Sequence, residues 1–143
     1  MKHLIRMIVV FILTLPFAYY SIKPEKDLIN TLYNVSGILF SIGLGLIVTL
    51  DLSQVRNDKL LKGIRKNIRI VRNTFIIYFV INTAFYILSF YLIHPISVFG
   101  FEYYYGIFVC LTCIYTIMYF VYNFLEIQQL KNDITDAVNN SQS

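Results

Sequence analysis

The sequence predicts an all-α membrane protein: an antiparallel bundle of four transmembrane helices, with the third helix extended by a basic cytoplasmic amphipathic segment. Three observations carry this prediction. The chain is 57% hydrophobic and only 14% charged, whereas a soluble globular domain is roughly a quarter charged and just under half apolar. Four apolar runs recur along it, each near the roughly 20 residues that a spanning helix needs. The basic residues fall almost entirely on one side of the bundle those runs would form. Residues 1–127 make up the transmembrane domain and residues 128–143 a polar cytoplasmic tail, which leaves no room for a soluble catalytic domain.

The first span covers about residues 4–22. Lys2 and Arg6 followed by the almost purely apolar residues 7–14 also resemble the start of a signal peptide. However, Pro16, Phe17, Ala18, Tyr19 and Tyr20 do not form a small-x-small cleavage site, so an uncleaved helix is expected. The chain has no Trp, and Tyr19 and Tyr20 supply the interfacial aromatics at the far end of this span. A short polar turn follows at residues 23–27. The second span covers about residues 28–52, with Asp27 as its expected N-cap, and ends near Asp51, Ser53 and Gln54.

Residues 55–72 differ in character. Arg56, Lys59, Lys62, Arg65, Lys66, Arg69 and Arg72 stand against a single acid, Asp58. Leu60, Leu61, Ile64, Ile68 and Val71 recur at helical spacing on the other side, which makes a basic amphipathic helix. Ser53, Asn57 and Asp58 offer N-cap chemistry at its start. No Pro or Gly separates this segment from the third span, about residues 74–93, so one continuous helix is expected. His94 before Pro95 ends it, because the residue preceding a proline disfavours the helical region. A turn at residues 96–100 leads to an unusually aromatic fourth span, about residues 101–127. The last turns of the polar tail are expected to be disordered.

Orientation follows from the tendency of Lys and Arg to stay cytoplasmic. With four spans, the N-terminus, the middle loop and the tail share one side, which carries all of the 12 Lys and Arg residues except Lys23 and Lys26. Both termini are therefore expected in the cytoplasm. The abundance of Ile, Asn, Tyr and Lys suits an AT-rich bacterial gene, and the expected location is the inner membrane.

Three polar stripes stand out within the apolar runs. In the second span Asn34, Gly37, Ser41, Gly45 and Thr49 fall on one helix face made only of small or polar residues, with Gly43 nearby. Small residues let two backbones approach closely, and hydroxyls can bond across the gap. The face therefore serves either helix packing within the chain or contact between copies. In the third span Tyr78, Asn82, Tyr86 and Ser89 share a face. In the fourth, Thr112, Thr116, Tyr119, Asn123 and Glu126 do the same. Hydrocarbon offers no partner for such groups, so Asn34, Asn82 and the stripe from Thr112 to Asn123 are expected to face one another inside the bundle, as structural hydrogen bonds or as a hydrated path.

No ionisable residue falls near the middle of a span, where membrane-embedded chemistry would need one. Asp51, Glu102 and Glu126 lie at span ends, so no carboxylate is placed at mid-membrane for a proton-driven pump or an intramembrane hydrolase. Cys110 and Cys113 have C-x-x-C spacing, but an apolar helix keeps thiols protonated and nothing nearby completes a metal shell. They read as packing residues. His3 and His94 fall on opposite sides and cannot form one site. No phosphate-binding loop or hydrolase motif occurs. No enzymatic activity, cofactor or metal is expected.

The basic face of Lys62, Arg65, Lys66, Arg69 and Arg72 can fix orientation by meeting anionic headgroups, or can dock a cytoplasmic protein. Nucleic acid is not expected, since the segment lies beside the membrane and lacks interleaved aromatics. In size and topology the layout resembles small four-helix membrane subunits encoded beside bacterial anti-phage systems. That resemblance implies an oligomeric sensor or membrane-disrupting effector. The expected function is a non-enzymatic membrane subunit that assembles with itself and acts as a channel-like or membrane-perturbing element. The alternatives are a monomeric anchor that recruits a soluble partner through the basic helix, and a small solute transporter. The absence of internal repeats counts against the transporter.

Overall fold

The structure, a computed structural model, describes residues 2–20, 22–50, 52, 58–98 and 101–140. Four helices account for nearly all of it: α1 (Lys2–Tyr19), α2 (Lys26–Val48), α3 (Asp58–Ser89) and α4 (Tyr105–Asn140), with a hairpin of β1 (Ile96–Val98) and β2 (Phe101–Tyr103) between the last two. Asp51, Ser53, Gln54, Arg56 and Asn57, which the sequence places at the end of the second span and the start of the basic helix, lie outside the described residues.

α1 has Pro16 inside its last turn, where the missing N–H and the ring bring the helix close to its end. α2 begins two residues earlier than a cap at Asp27 would place it. Its N-cap is Glu25, in extended conformation and without a side-chain cap bond, and Asp27 sits in the first turn. There its carboxylate still favours the positive end of the helix dipole. The helix closes at Thr49, whose N–H donates to the Gly45 carbonyl at 3.0 Å.

α3 is one helix of 32 residues, and the basic segment and the third apolar run are continuous within it. At 1.5 Å per residue it is about 48 Å long, against about 30 Å for the hydrocarbon core of a bilayer. It stops at Ser89 rather than near residue 93, closing with Phe90 and Tyr91 N–H groups on the Ile87 and Leu88 carbonyls. The expected turn before the fourth span is a short antiparallel hairpin in which Ile96 pairs with Tyr103 and Ser97 with Glu102. The fourth helix therefore starts at Tyr105, not Phe101. The β-branched Ile96 and Val98 and the aromatic Phe101 and Tyr103 suit extended strands, and this small sheet departs from the all-α expectation.

The tail also differs from the expectation. α4 runs for 36 residues to Asn140, well past the expected end of the fourth span near residue 127, and residues 141–143, in the last turns expected to be disordered, lie outside the described residues. No Pro or Gly follows Gly106, and Ile127 is buried while Leu130 and Ile134, at helical spacing beyond it, are half-buried.

Consecutive helices run antiparallel, but they do not form a square ring. α4 packs against all three of the others, and most extensively against α2, to which it runs parallel. α1 lies along α4 and the hairpin, with Phe11 against Phe108 and Tyr103. α2, α3 and α4 form the core. Near the hairpin Ile29, Val109, Cys110 and Cys113 cluster beside Phe85 and Tyr86. Toward the other end Phe75, Tyr78 and Phe120 are fully buried, with Phe40 and Phe79 against them. Parallel ring stacking fixes the α2–α3 register: Phe40 on Phe79 at 4.3 Å and Tyr33 on Tyr86 at 4.0 Å between ring centroids.

The buried residues of α2 are Ile29, Ser36, Gly43 and Ile47, a spacing of seven, seven and four that defines a single face. Gly43 is required there: a Cβ would run into the Phe75 ring, with Cδ2 at 3.0 Å. The outer surface is strongly apolar. α2, the stretch Leu61–Ser89 of α3 and the stretch Tyr105–Thr135 of α4 are each long and apolar enough to cross a membrane, and α1 contains the shorter apolar stretch Ile5–Phe17.

Gly43→Val is expected to destabilise the fold by about 1–3 kcal/mol through overpacking against Phe75. Gly45→Val, where a Cβ meets nothing within 4 Å, is expected to leave stability unchanged or slightly raised, because Val is a somewhat better helix former than Gly. Thermal unfolding of the two variants in detergent measures the difference.

Candidate functional site

Two polar surfaces and one polar knot can be built from the residues upward. The knot comes first, because it holds the surfaces in place. Asn82, fully buried on α3, donates from Nδ2 to Ser36 Oγ of α2 at 3.0 Å and accepts at Oδ1 from Cys113 Sγ of α4 at 3.3 Å. Ser36 in turn donates to the Tyr33 carbonyl at 2.7 Å. One amide thus joins three helices. Two further bonds tie α2 to α3: Tyr86 donates to Asn30 Oδ1 at 2.9 Å, and Tyr33 pairs with Thr83 at 3.1 Å. Both cysteines are buried and free.

The expected meeting of Asn34, Asn82 and the α4 stripe is corrected by this arrangement. Asn82 and the α4 stripe do face inward, but the group of α2 that meets Asn82 is Ser36. Thr112 is buried and donates to the Phe108 carbonyl of its own helix at 2.8 Å, and Asn123 likewise donates to Tyr119 at 2.8 Å. Thr116 is buried, and its hydroxyl has no hydrogen-bond partner among the described residues. Ser36 was missed because a lone serine in an apolar run carries no signal by type. Its signal is position, seven residues from both Ile29 and Gly43.

Arg6 is a second departure. The sequence places it among the flanking charges of the first span. In the structure its guanidinium donates to Tyr78 Oη at 2.8 Å, and the Tyr78 and Tyr115 hydroxyls are 3.3 Å apart. Tyr78 lies six residues, about 9 Å, beyond Arg72 along α3. The bond brings α1 against the α3–α4 pair at that level.

The first surface is the outer face of α2. Asn34, Ser41, Gly45 and Thr49 are exposed and Gly37 is half-buried. The small face therefore points away from the chain's own core, apart from Gly37, where a Cβ would meet the Phe79 ring at an ordinary 3.7 Å. The hydroxyls satisfy themselves: Ser41 donates to the Gly37 carbonyl at 3.0 Å and Thr49 to that of Leu46 at 3.1 Å. Asn34 does not. Its amide has no hydrogen-bond partner among the described residues, although it lies eight residues, about 12 Å, inside the start of the helix.

The second surface is the N-terminal half of α3. Lys62, Arg65, Lys66, Arg69 and Arg72 are all exposed, while Leu61, Ile64, Ile68 and Val71 are half-buried. Lys62, Arg65, Lys66 and Arg69 line an open groove of about 370 Å³ together with Ile70 and Asn73. At the opposite end of the molecule a cavity of about 260 Å³ lies between the start of α2, the end of α3 and the start of α4, with Lys23, Lys26 and Phe90 in its wall. Lys26 Nζ stands 5.4 Å from the centre of the Phe90 ring. Also in this wall, Tyr104 donates to Glu102 at 3.0 Å, and that bond, ahead of burial and the carboxylate charge, raises its pKa above the ordinary tyrosine value. Among the described residues no three His, Cys, Asp or Glu side chains are placed to hold a metal ion.

Comparison with known protein families, curated proteins and solved structures finds no match to this chain.

Asn82→Leu is expected to cost about 1–2 kcal/mol, because it leaves Ser36 without its cross-helix partner in an apolar interior. Combining it with Ser36→Ala is expected to recover part of that loss. A double-mutant cycle by unfolding in mixed micelles measures the coupling, and additive losses would remove the Asn82–Ser36 bond from the account.

Proposed function

We propose that the protein is a non-enzymatic integral membrane subunit of four transmembrane helices, with both termini in the cytoplasm. It assembles with copies of itself through the outer face of α2 and acts through that assembly as a channel-like or membrane-perturbing element. Asn34 carries this reading. An amide without a partner, about 12 Å inside an apolar helix and facing outward, has nothing to bond in hydrocarbon. A second copy of the same face provides an amide, and Ser41 and Gly45 beside it allow the close backbone approach that membrane helix contacts use. The orientation rests on the basic face of α3, which favours the cytoplasmic side. The long α3 and α4 then project about 18–24 Å beyond a 30 Å hydrocarbon core.

A second reading, a monomeric anchor that recruits a soluble protein, is supported by the exposed cations of α3. The two differ in what the protein brings with it from its own membrane. Native mass spectrometry after gentle extraction is expected to give a defined homo-oligomer. A monomer carrying a soluble protein would replace the first reading by the second.

Asn34→Leu with Gly45→Leu is expected to weaken self-association about tenfold or more while leaving the monomer folded, since among the described residues Asn34 has no hydrogen-bond partner and a Cβ at Gly45 meets nothing within 4 Å. The readout is the oligomer fraction at a fixed protein-to-lipid ratio, beside the circular dichroism of the same sample. An unchanged oligomer with normal helix content would exclude this face as the interface.

A further inference from the structure

We infer that the exposed face of α3 is a binding site for an anionic phospholipid of the cytoplasmic leaflet, with the phosphate in the cationic groove and an acyl chain along the apolar stripe that continues it. The inference rests on α3 crossing the membrane, as proposed above, and not on self-association.

Two features of one helix face lead to it. The first is uncompensated charge. Lys62, Arg65, Lys66 and Arg69 stand at spacings of three and four residues, where side chains are neighbours and like charges repel. None of the four has a carboxylate partner among the described residues, and Asp58 is the one acid of α3. Their groove spans seven residues, about 10 Å along the axis, long enough to seat more than one phosphate oxygen cluster. Asn73 at its membrane end adds an amide, although its Oδ1 already accepts from Arg72 at 3.3 Å.

The second feature is what the groove runs into. Ile70, part of its wall, is 54% exposed. Further along the same face, at helical spacing, Ile77, Val80, Ile87 and Leu88 are exposed in turn. Val80 lies eleven residues from Arg69, about 17 Å, a distance that an acyl chain of one leaflet covers. A nucleic acid or an acidic peptide would use the four cations and leave Ile70 in water. A phospholipid uses both halves of the face, with its charge where the cations are and its chain where the isoleucines are.

The test uses the full chain in nanodiscs of neutral phosphatidylcholine containing a few per cent of a two-phosphate lipid (cardiolipin) or a one-phosphate lipid (phosphatidylglycerol). Lipid retained on the protein after transfer to a mild detergent is counted by native mass spectrometry. Anionic lipid is expected to be enriched over its share in the disc. Arg65→Gln with Arg69→Gln should reduce that enrichment about tenfold or more. Lys23→Gln with Lys26→Gln, at the other end, should not change it. Protein that enters neutral discs but shows no enrichment overturns the lipid site and leaves the membrane reading intact. Protein that does not enter discs overturns the membrane reading instead. Equal competition by inorganic phosphate or by a water-soluble headgroup analogue reduces the site to anion binding and overturns the part played by Ile77 and Val80.

Discussion

The arrangement of this molecule depends on a single buried amide. Asn82 sits where α2, α3 and α4 converge, and both of its polar atoms are engaged by other helices. In an apolar interior that is a constraint more than a source of energy, since a membrane hydrogen bond contributes only about 1 kcal/mol. Its effect is on register. Sliding α3 by one residue along α2 would leave an amide and a hydroxyl unpaired in hydrocarbon-like surroundings, and would also unstack Phe40 from Phe79 and Tyr33 from Tyr86. The aromatic pairs supply contact area and the amide selects among the ways of using it.

The same constraint explains why the small residues of α2 divide into two groups. Ser36 and Gly43 share the buried face, where the first meets Asn82 and the second gives way to Phe75. Asn34, Ser41, Gly45 and Thr49 lie outside. A helix has room for one inward face, and once Ser36 is fixed by Asn82 the others must point outward. The outward polarity of α2 is thus a geometric consequence of the inner knot, and the proposed contact between copies rests on it.

Much of this was legible in the sequence, for identifiable reasons. The three long helices follow from apolar runs, and the continuity of the basic segment with the third run follows from the absence of Pro and Gly between them. Asn82 was legible because an asparagine in hydrocarbon needs partners. What it bonds was not, because periodicity gives a face without saying which helix lies opposite. Asn34 and Ser36 are two residues apart, on opposite faces, and the packing around Asn82 and Phe75 decides which turns inward. The hairpin was hidden because residues 96–103 are as apolar as the spans beside them. The helical tail was hidden because its polar composition masks Leu130 and Ile134. Arg6 was read as a flanking charge because its tyrosine partner is 72 positions away.

α3 has no Pro, and its one glycine, Gly63, is near its start, so it is a stiff rod, and its buried aromatic contacts, from Phe75 to Tyr86, lie toward one end. Asp58 lies 24 residues, about 36 Å, on one side of Asn82, and Ser89 lies seven residues, about 10 Å, on the other. The level of Asn82 is thus far off centre. A rigid tilt about that level would move the charged end about three to four times as far as the hairpin end, and in the opposite direction. Those are the proportions of a long-handled lever, in which a wide, light movement of the handle makes a short, firm one at the tip.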